Sequence, residues 1–396
     1  MEIFREYYIN WLTTQKNNNS IKVLTGVRRV GKSTILEQFK QTLKNEHIIE
    51  FNFNDPNFSE LTAVELYNII LEKSLHQRIN YVLLDEVQEI KNFEKCIVGL
   101  FENKNIKFDI YITGSNSHMF SSELATLMTG RTSEIQVFPL TFEELNTSKF
   151  KVNLLSYLKY GGLGIICNLY ENEAELKKWL KKVFSDSILR DIKTRHKIKN
   201  IESFNNIINY VFNHIGKQIS ASNLENYLKT NKETVVSKDT IIKYFDWLTQ
   251  VFLLYKVKYY DVVGKKKLLL KNKYYATDLG LLSVNISYDL NFLRGMRLEN
   301  LVLLQLLFLG YEVYTYENTV NKQEIDFICE KDDDFVYIQV CDNLNEENYL
   351  RESRSLLSVK NNFKKVIICN EISLPKNKDG ITIILLSDWL LNKISL

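Results

Sequence analysis

Over the first 150 positions, apolar residues fall into two alternating patterns. Short unbroken runs, IKVLT (21–25), IIEFNFN (48–54), YVLLDE (81–86) and FDIYITGS (108–115), have the length and residue types of buried strands. Between the first two, GKSTILEQFKQTLK places Ile35, Leu36, Phe39 and Leu43 on one helical stripe. Strands alternating with helices predict an α/β region, a parallel sheet with crossover helices, up to about residue 148. From 150 to 200 the pattern turns helical and basic, as in ELKKWLKKVFSDSILRDIKTRHKIK. Three amphipathic helices follow, centred on FNNIINYVFNHI, SASNLENYL and KDTIIKYFDWLTQ, and then a hairpin, LLYKVKYYDVVGKKKLLLKNKYY. Three helices and a two-stranded hairpin predict a winged helix over 201–275. The last part, 276–396, opens with a long helix, FLRGMRLENLVLLQLLFLG, and continues with about four strands and a helix around YLRESRSLLSVK.

Composition changes this picture little. A chain of 396 residues predicts two or three domains, and 45% hydrophobic residues suffice for their cores. Only 14 Gly and 3 Pro argue against long linkers. The net charge of +3 excludes a bulk polycation. Cys96, Cys167, Cys329, Cys341 and Cys369 lack C-x-x-C spacing, which fits a reducing compartment and offers no zinc site. The opening MEIFREYYINWL has neither the basic start nor the apolar core of a secretory leader, and LVLLQLLFLG is too short to span a bilayer. The expectation is a cytoplasmic chain that makes no membrane contact.

The chemistry concentrates in GVRRVGKST, residues 26–34, which matches G-x-x-x-x-G-K-[ST]. In such a loop Gly26, Val27, Arg28, Arg29, Val30, Gly31, Lys32, Ser33 and Thr34 wrap so that backbone N–H groups point at phosphate oxygens. The helix that follows adds its N-terminal dipole. Lys32 is expected to reach the β- and γ-phosphates of ATP, and Ser33 to offer a hydroxyl to Mg²⁺. YVLLDE ends in Asp85, a second candidate Mg²⁺ ligand, and Glu86, the candidate general base for water. At the end of FDIYITGS, Ser115 and the following Asn116, with Thr113 behind them, are candidates for sensing the γ-phosphate; a plain turn of small polar residues is the alternative. Arg131, after a glycine in LMTGRTSEIQVFPLTFEE, is a candidate to complete a nucleotide site in its own chain or a neighbour's, and a surface salt bridge is the alternative.

Taken with YGGLG, SILRDI, KYYATDLGLL, GMRLENLV, EIDFI and YIQV in this order, LLDEVQ, YITGSNS and GRTSEIQVFPLTFEEL make the chain resemble a group of bacterial and archaeal AAA-type ATPases along nearly its whole length. Their C-terminal domain is restriction-endonuclease-like and of unknown function. The resemblance implies an ATPase core over 1–148, a helical lid over 149–200, a winged helix over 201–275 and a restriction-endonuclease-like α/β domain over 276–396. Gly164 departs from the pattern, which usually carries a Pro there.

Two further surfaces follow. Between Tyr255 and Tyr275, Lys256, Lys258, Lys265, Lys266, Lys267, Lys271 and Lys273 oppose a single Asp261, a local charge of +6. Interleaved with aromatics, this hairpin is a candidate DNA or RNA contact centred on Lys265, Lys266 and Lys267, with a solvated hairpin as the alternative. Superposed on a metal-dependent nuclease core, Glu299, Asp326 and Gln339 line the metal site, and Glu324 shares the face of Asp326. Neutral Gln339 replaces a carboxylate there, and Cys341 stands where a Lys orients the attacking water, so the site is expected to be degenerate. The alternative is that Glu299 and Asp326 simply pair with a local cation such as Arg297. The reading is a Mg²⁺-dependent ATPase that couples nucleotide state to a winged-helix and degenerate nuclease-like module on nucleic acid. An ATP-switched scaffold for another protein and an active ATP-coupled nuclease are the rivals, and an oligomer is compatible with each.

Overall fold

The parallel strands of the N-terminal region are apolar because helices cover both of their faces. In the computed structural model every residue of β1 (Ile21–Thr25) is buried, as are six of the seven in β3 (Ile79–Asp85). The structure describes the chain apart from residues 1–2, 59, 116–129, 165–168, 171, 190–191, 194–195, 197, 199, 231–235, 262–265, 319–322 and 361, and apart from the side chains of 187–188, 261–271 and 318. The chain divides into two units, residues 1–138 with 250–252, and residues 139–249 with 253–396.

Unit 1 opens with α1 (Glu6–Thr14). Then β1, α2 (Lys32–Lys40), β2 (His47–Asn52), α3 (Ala63–Lys73), β3, α4 (Phe93–Phe101), β4 (Lys107–Gly114) and β5 (Thr132–Gln136) follow. The five strands form one parallel sheet in the order β2-β3-β4-β1-β5. This order carries the function, because β4 lies between β1 and β3. The ends of all three strands therefore meet along one edge, where open α/β sheets bind ligands. Val23, Val82, Leu84, Ile110 and Ile112 pack with Phe51, Ile97 and Leu100 into the core beneath that edge. The α/β class and the parallel sheet expected of this region are present.

Unit 2 begins with α5 (Phe142–Thr147), α6 (Leu154–Tyr160) and α7 (Glu173–Lys182). Next come α8 (Ile201–Asn213), β6 (Gln218–Ile219), α9 (Ala221–Thr230), α10 (Lys238–Gln250), β7 (Leu254–Asp261) and β8 (Lys266–Ala276). Then α11 (Leu279–Asn285) and α12 (Arg294–Phe308) lead into β9 (Glu312–Asn318), β10 (Gln323–Lys331) and β11 (Asp334–Leu344). Finally α13 (Tyr349–Ser358), β12 (Lys364–Ile372), β13 (Asn377–Lys378), β14 (Ile381–Leu385) and α14 (Leu386–Leu390) close the chain. The β7–β8 hairpin is not free-standing. Lys258 and Tyr259 of β7 pair in parallel with Tyr314 and Thr315 of β9, so the hairpin extends one nine-stranded mixed sheet, β13-β14-β12-β11-β10-β9-β7-β8-β6. A boundary at residue 275 runs through this shared sheet.

The YGG and DLGL stretches meet in unit 2. Asp278 caps α11, accepting from the N–H groups of Gly280 (2.8 Å) and Leu281 (3.1 Å), and its other oxygen accepts from Gly162 N at 2.7 Å. A Cβ on Gly162 would lie 2.0 Å from the Leu140 carbonyl oxygen, so only glycine fits this close approach.

Candidate nucleotide site and a second ionic cluster

Gly31, which precedes α2, has φ = +104°, a conformation open to glycine at little cost. The turn it makes points Lys32 back into the loop. The Lys32 ammonium is almost wholly buried, donating to the carbonyls of Gly26 (3.1 Å) and Val27 (3.4 Å) and lying 3.3 Å from Glu86 Oε1. Such a cation, held among the described residues by carbonyls and one carboxylate, is set to take phosphate oxygens.

The acidic pair closes β3. Thr113 of β4 donates to Asp85 Oδ1 at 2.5 Å and accepts from Glu86 N at 2.9 Å, so one hydroxyl fixes both residues. Glu86 itself has φ = +58° and ψ = +49°, left-handed backbone that a non-glycine residue adopts at a cost. Burial pushes the Asp85 carboxyl above its ordinary value, against the hydrogen bonds from Thr113 and Ser33. Asp85 Oδ2 is buried and accepts from no donor among the described residues. An undercompensated carboxylate oxygen beside the Ser33 hydroxyl is a donor set that suits a hard divalent cation such as Mg²⁺. Burial also pushes Glu86 upward, but Lys32, the amide of Gln88 and Arg28 together outweigh it and hold Glu86 below the ordinary range.

Ser115 lies on the same edge. Gln88 Nε2 donates to Ser115 Oγ at 3.2 Å and also to Glu86 Oε2. Sequence reasoning quoted Gln88 within LLDEVQ without giving it a role, because only the fold brings β4 alongside the β3 turn. Asn116 lies outside the described residues. Arg131 does not join the others. It precedes β5, with its carbonyl accepting from Ile21 N at 2.8 Å, at the end of β1 opposite the phosphate loop. Four strand residues, about 13 Å, separate the two ends. The Arg131 guanidinium pairs with Glu102 at 2.7 Å on the surface.

In unit 2 the structure brings Glu299 and Asp326 into one cluster, but with a residue that sequence reasoning had assigned to the surface. Lys273 of β8, counted among the hairpin's phosphate-facing lysines, is 1% exposed. Its ammonium lies 3.3 Å from Glu299 Oε1 and 2.5 Å from Glu324 Oε1. Tyr275 donates to Glu299 Oε1 at 2.5 Å, and Asp326 Oδ2 accepts from Val340 N at 2.8 Å. Burial and then the Glu299 charge push the Asp326 carboxyl well up, against the pull of Lys273. No group of three or more His, Cys, Asp or Glu among the described residues is arranged to hold a metal ion. The degenerate site expected of Glu299, Asp326 and Gln339 holds only two carboxylates, too few to count as such a group. Arg297 is not the partner of these acids either. It is buried elsewhere, donating to Ser283 Oγ at 2.7 Å and to the Ser287 carbonyl. Cys341 lies opposite Cys369, its neighbour in register on β12, and Gln339 Oε1 is buried and unpartnered among the described residues. Lys256 and Lys258 are exposed; Lys265 and the side chains of Lys266, Lys267 and Lys271 lie outside the described residues.

A family profile described as an AAA domain matches residues 18–146, and one described as a domain of unknown function (DUF8612) matches 152–289. An uncharacterized protein of Haemophilus influenzae is 35% identical, covering 98% of each chain. An uncharacterized protein of Methanocaldococcus jannaschii is 30% identical, covering 85% of this chain and 78% of its own. Among solved structures, the Walker-type ATPase PABY2304 of Pyrococcus abyssi is similar at 15% identity with a TM-score of 0.49, covering 72% of this chain and 95% of that one. No helix among the described residues is long and apolar enough to cross a membrane. The chain belongs to one family with the Haemophilus and Methanocaldococcus proteins, and its residues 18–146 match the AAA domain.

Proposed function

We propose that the chain hydrolyses ATP with Mg²⁺ in unit 1 and uses the nucleotide state to control a nucleic-acid-binding, non-cleaving unit 2. The single observation that carries the first half is the convergence of Lys32, Ser33, Asp85 and Glu86 at one sheet edge, with Lys32 and Glu86 paired at 3.3 Å. Ser33 and Asp85 would hold the Mg²⁺, which when bound neutralises charge on the phosphates. Lys32 exchanges the loop carbonyls for the triphosphate and releases Glu86. Glu86, held below the ordinary carboxyl range, is ionised at neutral pH and takes the proton of the attacking water. The water oxygen forms the new bond to the γ-phosphorus, and the bond to the β-phosphate oxygen breaks, its electron pair leaving with ADP. Ser115 faces the γ-phosphate in this reading, with Asn116 next to it in sequence; Arg131 is left for a neighbouring chain.

In unit 2 the fold order, helix then antiparallel strands bearing Glu299 and Asp326, supports a restriction-endonuclease-like domain behind a winged helix. The Lys273 ammonium supplies the positive charge that a divalent ion would otherwise bring to Glu299 and Glu324. Nucleic acid binding through the hairpin without metal-dependent cleavage is the function that fits. A second reading, a protein-binding scaffold, is favoured by Leu350 (74% exposed) and Leu357 (42% exposed), seven residues apart on one face of α13. The test is ATP binding and turnover by purified protein. Lys32→Ala is expected to lose nucleotide binding, whereas Glu86→Gln keeps binding and loses turnover by ~10²–10⁴-fold. Wild-type turnover in Glu86→Gln removes the assignment of the base.

A further inference from the structure

Gln88 stands in the short helical turn that follows the acidic pair. Its Nε2 donates in two directions, to Glu86 Oε2 and to Ser115 Oγ, so a single NH₂ group joins the end of β3 to the end of β4. Its Oε1 is buried and accepts from no donor among the described residues. A buried amide oxygen without a donor costs free energy unless a ligand supplies one. The other carboxylate oxygen of Glu86 is held by Lys32, the residue that phosphates would draw away.

We propose that Gln88 is the positioning residue of the hydrolytic step, holding Glu86 on the Ser115 side of the site and offering Oε1 to the second hydrogen of the attacking water. The proposal rests on the ATPase reading above. Once Lys32 turns to the triphosphate, Glu86 Oε1 gives up its ion pair while Oε2 keeps the hydrogen bond from the Gln88 amide. The carboxylate then keeps its direction while it receives the first proton, and the amide oxygen orients the same water through the second. Ser115 completes the chain, so contact of its hydroxyl with the γ-phosphate is felt at Glu86 through one side chain.

Steady-state ATP turnover of the full-length protein against pH, with nucleotide affinity measured in parallel by a fluorescent ATP analogue, tests this. Gln88→Ala is expected to lower kcat by ~10–100-fold with KM and analogue affinity within about twofold of wild type, since the amide touches water and base rather than the nucleotide. Gln88→Glu puts a like charge beside Glu86, so the acid limb of the kcat profile moves to higher pH. Gln88→Asn, one methylene shorter, fails to span both partners and is expected to behave like the alanine variant. A kcat within twofold of wild type in Gln88→Ala, with the acid limb unmoved in Gln88→Glu, overturns the positioning role while leaving the ATPase reading in place. Absence of turnover in wild type overturns both. If Gln88→Ala loses analogue binding through misfolding, the Gln88→Glu profile decides alone.

Discussion

Asp278 is a fully buried carboxylate whose three donors are all backbone N–H groups, with no cation among them. Burial pushes its pKa up to about 6, against those hydrogen bonds. An Asp whose folded value lies above its unfolded value favours the protonated form in the folded state. Its contribution is therefore greatest below about pH 4 and is lost as pH rises through about 6. The wild-type stability advantage over Asp278→Asn should shrink across that window by on the order of 3 kcal/mol, as read from denaturant midpoints at pH 4, 5, 6 and 7. An advantage that grows with pH contradicts the assignment. None of this was legible in DLGL as a sequence. That Asp278 caps its own helix is a local pattern, but its bond to Gly162 spans 116 residues and only the fold shows it. Gln88 was hidden for the same reason. The phosphate loop and the acidic pair, in contrast, are short motifs whose geometry is carried by a few adjacent residues, so their spacing already announced them.

At the level of elements, the apolar runs found the strands because a parallel strand covered on both faces must be apolar. They hid two charges within it. Lys22 of β1 and Asp109 of β4, both buried, form an ion pair at the end of the sheet away from the phosphate loop. Asp109 Oδ2 also accepts from Tyr111 OH and Asn17 N, each at 2.9 Å, and Lys22 donates to the Asn18 carbonyl at 3.1 Å. Burial lowers the Lys22 pKa, against the pull of Asp109. Lys22→Met leaves Asp109 buried without its cation and should cost about 3–5 kcal/mol, seen as a drop in the denaturant midpoint of unit 1. Adding Asp109→Asn should recover part of the loss, because the Tyr111 and Asn17 donors still find an acceptor. No recovery in the double variant rules out charge as the cause. The hairpin shows the opposite failure. Alternation of Lys with apolar residues reads as a solvated ribbon. Yet pairing with β6 on one side, and α12 laid beside it, turn Lys273 inward to Glu299. Which face of a strand is wet depends on its neighbours, which the strand's own sequence does not name.

On the scale of the whole molecule, the proposed ATP chemistry belongs to unit 1 and the basic hairpin to unit 2, so the proposed coupling is a matter of measured response. The hairpin's useful charge is smaller than its lysine count, because Lys273 is spent on Glu299 and Glu324. What remains, centred on Lys265, Lys266 and Lys267, sets the last prediction. Each lysine that neutralises a phosphate releases about one counterion, so log affinity falls with log salt by roughly 0.9 per contact. Replacing all three by Glu should weaken DNA or RNA binding by a similar factor across unrelated sequences and flatten that slope by about 2–3. ATP turnover that nucleic acid stimulates in wild type should lose its stimulation in the same variant. Because an ammonium stands beside Glu299 and Glu324, neither Mg²⁺ nor Mn²⁺ should support cleavage of duplex, single-stranded or branched DNA. Cleavage that vanishes in Asp326→Ala would establish a working nuclease instead. Unchanged affinity and an unchanged slope in the triple variant would take nucleic acid away from the hairpin and leave the exposed leucines of α13, as a protein-binding face, the better-supported contact.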